Sequence, residues 1–156
     1  MADTAALKAY ATTQAESYGI PSDIFLNMIG AESSWNPNAV SSAGAEGIAQ
    51  LMPGTANNIN RFDPYASIHF AAQLLKEYYD KYGTWEAALS AYNAGPSGNW
   101  QNSETQNYVG RILGKLGLSS PIKTGTVGDT MSTLKIVFWS AAVIVGIIVI
   151  KGVSKG

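Results

Sequence analysis

The sequence predicts a mainly α-helical domain over residues 1–118, a flexible linker over 119–133, a single transmembrane helix over 134–153 and a short basic tail over 154–156. Three observations carry this: apolar residues recur at helical spacing up to Leu116, a small polar stretch follows, and a charge-free apolar run comes last. At 156 residues the chain holds one compact domain plus an appendage rather than two full domains.

The first helix is an Ala-rich segment from about Thr4 that ends at Gly19. The second begins around Pro21-Ser22-Asp23 and stops before Asn36-Pro37, because the residue before a proline is pushed out of the helical region. A third runs from Pro64 to Tyr82, with Ile68, Ala71, Ala72, Leu75, Tyr78, Tyr79 and Tyr82 on one stripe and Gly83 behind it. Thr84 caps a short fourth helix that reaches Tyr92 and halts at Gly95-Pro96. Ser103 with Gln106 reads as a capping box for the fifth, whose Val109, Ile112, Leu113 and Leu116 face inward. Between Asn36 and Met52, Gly44 and Gly47 mark the one place for a small hairpin.

The apolar run from Ile136 to Ile150 is fifteen residues without a charge, and Leu134 to Val153 makes twenty with Lys135 and Lys151 included. Twenty helical residues span roughly 30 Å, about the hydrocarbon thickness of a bilayer, and the two lysines can snorkel to the headgroups. The alternative is a buried core helix. Lys123 and Lys135 on one flank balance Lys151 and Lys155 on the other, so orientation stays open. The first residues, Met-Ala-Asp-Thr-Ala-Ala-Leu-Lys, lack a basic region followed by an apolar run, and no secretory signal peptide is expected.

Composition narrows the chemistry. With no cysteine and one histidine, His69, neither a disulfide framework nor a thiolate or histidine metal site is expected, and reactive groups must be carboxylates, hydroxyls and amides. Up to Leu118 there are six Lys or Arg against ten Asp or Glu; beyond it, four against one. An acidic domain without a basic stripe is not expected to bind nucleic acid.

Glu32 lies seven residues after Phe25, four after Met28 and three after Ile29, so it shares the apolar face of the second helix. A carboxyl buried there is costly to ionise, which suits a general acid that protonates a glycosidic oxygen. The spacing equally allows a Glu paired or solvated at a helix end.

Three blocks in order, Glu32-Ser33-Ser34-Trp35-Asn36-Pro37-Asn38-Ala39-Val40-Ser41, Gly44-Ala45-Glu46-Gly47-Ile48-Ala49-Gln50-Leu51-Met52-Pro53 and Ala91-Tyr92-Asn93-Ala94-Gly95-Pro96, closely resemble the soluble lytic transglycosylase family over about residues 15 to 115. The resemblance implies a lysozyme-like helical fold with a sugar-binding cleft. It implies Glu32 as the sole catalytic carboxylate, acting as acid and then base. Ser41, Gln50 and Met52 match cleft residues; Tyr92 and Asn93 look like the pair across from the acid, and Tyr108, in Glu104-Thr105-Gln106-Asn107-Tyr108-Val109, matches a cleft wall, with Glu104 a weaker candidate. For Tyr92 and Tyr108 a core-aromatic reading stands beside this one, and for Gln50 that of a loop amide satisfying the backbone.

Two positions depart from the family pattern: Glu46, where an uncharged residue is usual, and Ser67, where Asn is commoner. Glu46 bears on the reaction, because glycosidases that use water normally need two carboxylates, roughly 5 to 9.5 Å apart. Pointing into the cleft it would permit hydrolysis; otherwise it is a solvated loop charge.

The implied reaction cleaves the MurNAc-GlcNAc bond of peptidoglycan without water: the muramic 6-hydroxyl attacks the anomeric carbon and leaves a 1,6-anhydro sugar. No metal or organic cofactor is implied. The expected partners are peptidoglycan glycan strands and, through the apolar run, a lipid bilayer. A cell-wall enzyme without an export signal needs another route to its substrate, and the expectation is the membrane of a bacteriophage virion, where it opens the wall during infection beside other virion proteins. A conjugation or secretion apparatus in the host envelope, and late lysis, are the alternatives for setting. A hydrolytic muramidase and an inactive peptidoglycan-binding or structural membrane protein are those for function.

Overall fold

The computed structural model describes residues 3–118, which fall within one compact unit. Five helices are present there: α1 (Thr4–Ser17), α2 (Ser22–Ser33), α3 (Pro64–Tyr82), α4 (Trp85–Ala94) and α5 (Ser103–Gly114). The linker, the proposed transmembrane helix and the basic tail lie outside the described residues. Among those described, no helix is long and apolar enough to cross a membrane.

Local chemistry sets the helix ends. The Asp3 carboxylate accepts from Ala5 N at 2.9 Å, and Asp63 accepts from Tyr65 N and Ala66 N with Pro64 in the first turn, so the orphan amides of α1 and α3 are satisfied. Thr84 caps α4 through Ala87 N, as its position predicts. At α5 the expected capping box is displaced by one residue. Asn102, not Ser103, is the cap, accepting from Thr105 N at 2.7 Å, while Gln106 donates to Trp100 O. The cap from Asn102 to Thr105 spans the same three residues as the Ser-x-x-Gln pattern, shifted back by one.

The helices pack α1 on α2 and α3, α4 on α3 and α5, and α5 back on α2. Leu7, Phe25, Met28, Ile29, Ile48, Ile68, Leu75, Leu89 and Ile112 form the centre of one core, each 1 % exposed or less. Burial of that apolar surface is the main stabilising term, at about 25 cal/mol per Å² removed from water.

Residues 39–51 are the irregular insert that positions the site. The hairpin expected there is reduced to two single bridges, Val40 with Glu46 and Glu46 with Leu51. Gly47 (φ +76°) opens the turn between Glu46 and Leu51, its carbonyl accepting from Gln50 N at 3.2 Å, and its backbone presses so close to the next segment that a Cβ would sit 1.8 Å from the Arg61 carbonyl oxygen. The buried Ser67 hydroxyl donates to that same carbonyl at 2.6 Å.

Candidate active site

Glu32 sits in the last turn of α2, with Phe25, Met28 and Ile29 of its own face fully buried beneath it. The helix then stops abruptly, because Ser34 (φ 54°) and Trp35 (φ 67°) both adopt the left-handed region, uncommon for residues with a side chain. Gln50 (φ 49°) is the only other non-glycine in that region among the described residues. Backbone strain of about 1–3 kcal/mol per such residue is tolerated where the surroundings enforce it, and it concentrates at functional sites.

Burial raises the Glu32 carboxyl from its ordinary 4.5 to about 7, against the opposing pulls of the Tyr108 hydroxyl and the Arg111 guanidinium. Tyr108, buried on α5, donates its O–H to Glu32 Oε1 at 2.5 Å. Oε1 is thereby engaged, and Oε2 is the oxygen left to carry or receive a proton. The same proximity, after burial itself, holds the Tyr108 and Tyr92 phenols well above their ordinary 10, so both remain protonated donors.

The insert is fastened beside the acid from two sides. Ser33 Oγ donates to Ile48 O at 2.7 Å and Tyr92 Oη to Ala49 O at 2.9 Å, tying residues 48–49 to the end of α2 and to α4. Gln50 then enters a cavity of about 260 Å³ with Met52, Leu74, Tyr78, Tyr92 and Asn93 in its walls. Gln50 Nε2 donates to the carbonyls of Gly47 (2.9 Å) and Ala39 (3.2 Å). The loop-amide reading thus describes its nitrogen, and Oε1 is left as an acceptor. Asn93 Oδ1 accepts from the buried Thr105 hydroxyl at 2.9 Å, which leaves Nδ2 as a donor. A wall with one free amide acceptor and one free amide donor can bind an acetamido group, which carries one of each.

The structure brings Gln50, Met52, Tyr92 and Asn93 together in this cavity, and Tyr108 joins Glu32 beside it. Glu32 is not itself in the cavity wall; Tyr92 adjoins both. Ser41 stands apart: its hydroxyl accepts from Ala45 N at 3.0 Å and closes the Ser41–Ala45 turn. Glu104 lies on the outer face of α5, beside a shallow depression shared with Gln106, Asn107, Gly110 and Arg111. Glu46 is an ion-paired, part-buried carboxylate outside the wall of the Gln50 cavity. Its Oε2 pairs with Arg61 Nε at 2.7 Å, while Arg61 Nη1 donates to Ala56 O.

In the sequence Tyr78 belongs to the apolar stripe of α3, and nothing local marks Thr105 or Arg61. A tyrosine among apolar neighbours carries a signal, a hydroxyl that needs somewhere to go, but its direction depends on the packing of α3 against α4. Among the described residues, no group of three or more His, Asp or Glu is arranged to hold a metal ion.

The Transglycosylase SLT domain family matches residues 9–111. The chain is 35 % identical over 119 residues to a transglycosylase of Enterobacteria phage PRD1, covering 71 % of this chain and 44 % of that protein. It is 26 % identical over 130 residues to the soluble lytic murein transglycosylase of Escherichia coli K12, covering 74 % and 19 %. Among solved structures, an inactive mutant of the lytic transglycosylase Slt from Pseudomonas aeruginosa superposes with a TM-score of 0.61 at 26 % identity, over 72 % of this chain and 25 % of that one. The Escherichia coli 70 kDa soluble lytic transglycosylase gives 0.53 at 26 % identity, over 69 % and 19 %. The chain thus spans less than half the length of these relatives. With the family model matching well over half of its residues, the chain belongs to the transglycosylase SLT domain family.

Proposed function

We propose that the chain is a peptidoglycan lytic transglycosylase that cleaves the MurNAc-GlcNAc bond with Glu32 as acid and then base, leaving a 1,6-anhydro-MurNAc end. The observation that carries this reading is a single proton-bearing carboxyl, raised to about 7, beside a cavity whose described walls hold no second carboxylate. Near neutral pH such a group is populated in both protonation states, as a residue that first gives and then takes a proton requires. Glu32 Oε2 protonates the bridging oxygen; the muramic 6-hydroxyl attacks the anomeric carbon and returns its proton to the carboxylate. Tyr108, by donating to Oε1, stabilises the ionised form and so favours the first half of the cycle, in which Glu32 gives up its proton. The attack is intramolecular, so one carboxylate suffices and no water need be activated. The Glu46–Arg61 pair supports this over hydrolysis, because the other candidate carboxylate is already engaged.

The identity to a phage transglycosylase supports an infection role. In this reading the apolar run 134–153 anchors the enzyme in the membrane of a virion, and the domain opens the wall locally during genome delivery. Mass spectrometry of purified particles that failed to find the protein would sink the virion setting.

The reaction is tested by digesting purified peptidoglycan with the full chain and its Glu32→Gln variant and weighing the soluble products. Anhydro-muropeptides from the parent and at least about 10³-fold less from the variant are expected, within the usual range for a lost general acid. Reducing-end products, heavier by one water, would replace this reading with hydrolysis.

A further inference from the structure

Three tyrosines border the proposed site, and two of their hydroxyls are spent. Tyr108 donates to Glu32 and Tyr92 to Ala49 O. Tyr78 is different. It lines the cavity together with Gln50, Tyr92 and Asn93, and among the described residues its hydroxyl takes part in no hydrogen bond. Nor is that oxygen a buried orphan, since no buried side-chain N or O lacks a partner there. The hydroxyl is therefore unpartnered and accessible, on a residue that lines the cavity.

The ring behind it is held in place. Tyr78 lies 6.3 Å from the Tyr82 ring, tilted by 42°, and Tyr82 meets Trp100 edge-on at 4.9 Å. Tyr82 Oη donates to Pro96 O at 3.4 Å and Trp100 Nε1 to Gly95 O at 3.0 Å. Gly95 and Pro96 themselves belong to the cavity wall. The aromatic chain is thus anchored on the turn that closes the pocket Tyr78 faces. A half-buried phenol held this way presents its O–H at little conformational cost. Burial, and next the neighbouring Glu77 and Tyr82, push its pKa up, so it stays a donor at neutral and mildly alkaline pH.

We infer that Tyr78 is a substrate-binding residue, its O–H donating to an oxygen of an N-acetylated sugar whose acetamido group meets Gln50 Oε1 and Asn93 Nδ2. This rests on the reading of the chain as a glycan-cleaving enzyme. It assigns Tyr78 to binding the strand and leaves the proton transfers to Glu32.

The test uses the full chain with Tyr78→Phe, which removes the hydroxyl and keeps the ring. Binding of a purified tetrasaccharide of alternating GlcNAc and MurNAc is titrated by calorimetry in the Glu32→Gln background, where no turnover intervenes. Steady-state cleavage is measured with Glu32 intact. Loss of one hydrogen bond in the cleft raises Kd and KM about tenfold with kcat within about twofold. The melting temperature stays unchanged. Binding within about twofold of the parent overturns the inference, and so does weaker binding accompanied by a lower melting temperature, the behaviour of a packing residue. Should the parent release no muropeptide while Tyr78→Phe still weakens tetrasaccharide binding, the cleavage reading falls and the assignment of Tyr78 stands. Should the parent not bind the tetrasaccharide, both fall.

Discussion

Glu32 and Glu46 are fourteen positions apart, and both are part-buried, yet the fold treats them in opposite ways. Glu32 has an apolar floor, a tyrosine O–H and no cation in hydrogen-bonding contact; Arg111 acts on it only at longer range, and its carboxyl rises to about 7. Glu46 has a guanidinium 2.7 Å away, and its backbone pairs on both sides with Leu51, N to O and O to N at 3.0 Å. One carboxylate is kept available for a proton; the other is consumed in holding a loop. Residue type alone does not distinguish them. The surroundings decide, through desolvation in one case and charge pairing in the other.

The comparison breaks first at Glu32, and through stability as well as rate. A folded pKa near 7 against 4.5 in the unfolded chain means that, between those values, the folded state binds more protons. Stability from this group is therefore fully present below about pH 4.5, falls as pH rises through 4.5 to 7, and stays low above. The ceiling is about 3 kcal/mol, less where solvent reaches the carboxylate. Glu32→Gln removes the charge and keeps an oxygen that can accept from Tyr108. Chemical denaturation should find this variant more stable than the parent by about 1–3 kcal/mol at pH 8 and equal to it at pH 4. Equal stability at both pH values would mean that the carboxyl is not desolvated.

Tyr108→Phe sharpens the same contrast with a smaller effect. The O–H it removes favours ionised Glu32, so the carboxyl should rise further and the alkaline limb of the cleavage profile should move to higher pH. Release of the proton from Glu32 becomes less favourable, and kcat should fall about tenfold, in keeping with a lost hydrogen bond to a charged group. A pH–rate profile identical to the parent's would remove Tyr108 from the proton chemistry.

What was legible in the sequence follows the range of the interactions involved. All five helices could be read because caps, glycine stops and apolar stripes act within a few residues, and Glu32 stood out because its register with Phe25, Met28 and Ile29 is a local fact. Gln50, Met52, Tyr92 and Asn93 are marked in the sequence only by block resemblance, and it is the fold that gathers them in one cavity. Tyr78 was hidden inside a stripe that otherwise reads as core. It lines a space that α3, α4 and the insert create jointly. The expected hairpin is cut down to two bridges; Gly47 does sit in a turn there, but its close contact with Arg61, fourteen residues on, is a long-range constraint that no local pattern conveys.

The smallest effect falls on Glu46, and it separates the two carboxylates most directly. Both partners of its ion pair are largely buried, with side-chain exposures of 24 % for Glu46 and 19 % for Arg61, so the pair is worth more than an exposed one but well below a fully buried one. Glu46→Gln keeps a weaker acceptor for Arg61 and should cost about 0.5–1 kcal/mol of stability. Arg61→Met should cost more, because it strands the Glu46 carboxylate and deprives Ala56 O of its donor. In a double-mutant cycle the two changes together should cost less than their sum, by about 1 kcal/mol. Cleavage by Glu46→Gln should stay within a few-fold of the parent, with anhydro ends unchanged, since a loosened insert shifts Gln50 and Met52 without touching the proton donor. A loss of activity as deep as that of Glu32→Gln would mean that Glu46 takes part in the chemistry, and the site would then hold two working carboxylates instead of one.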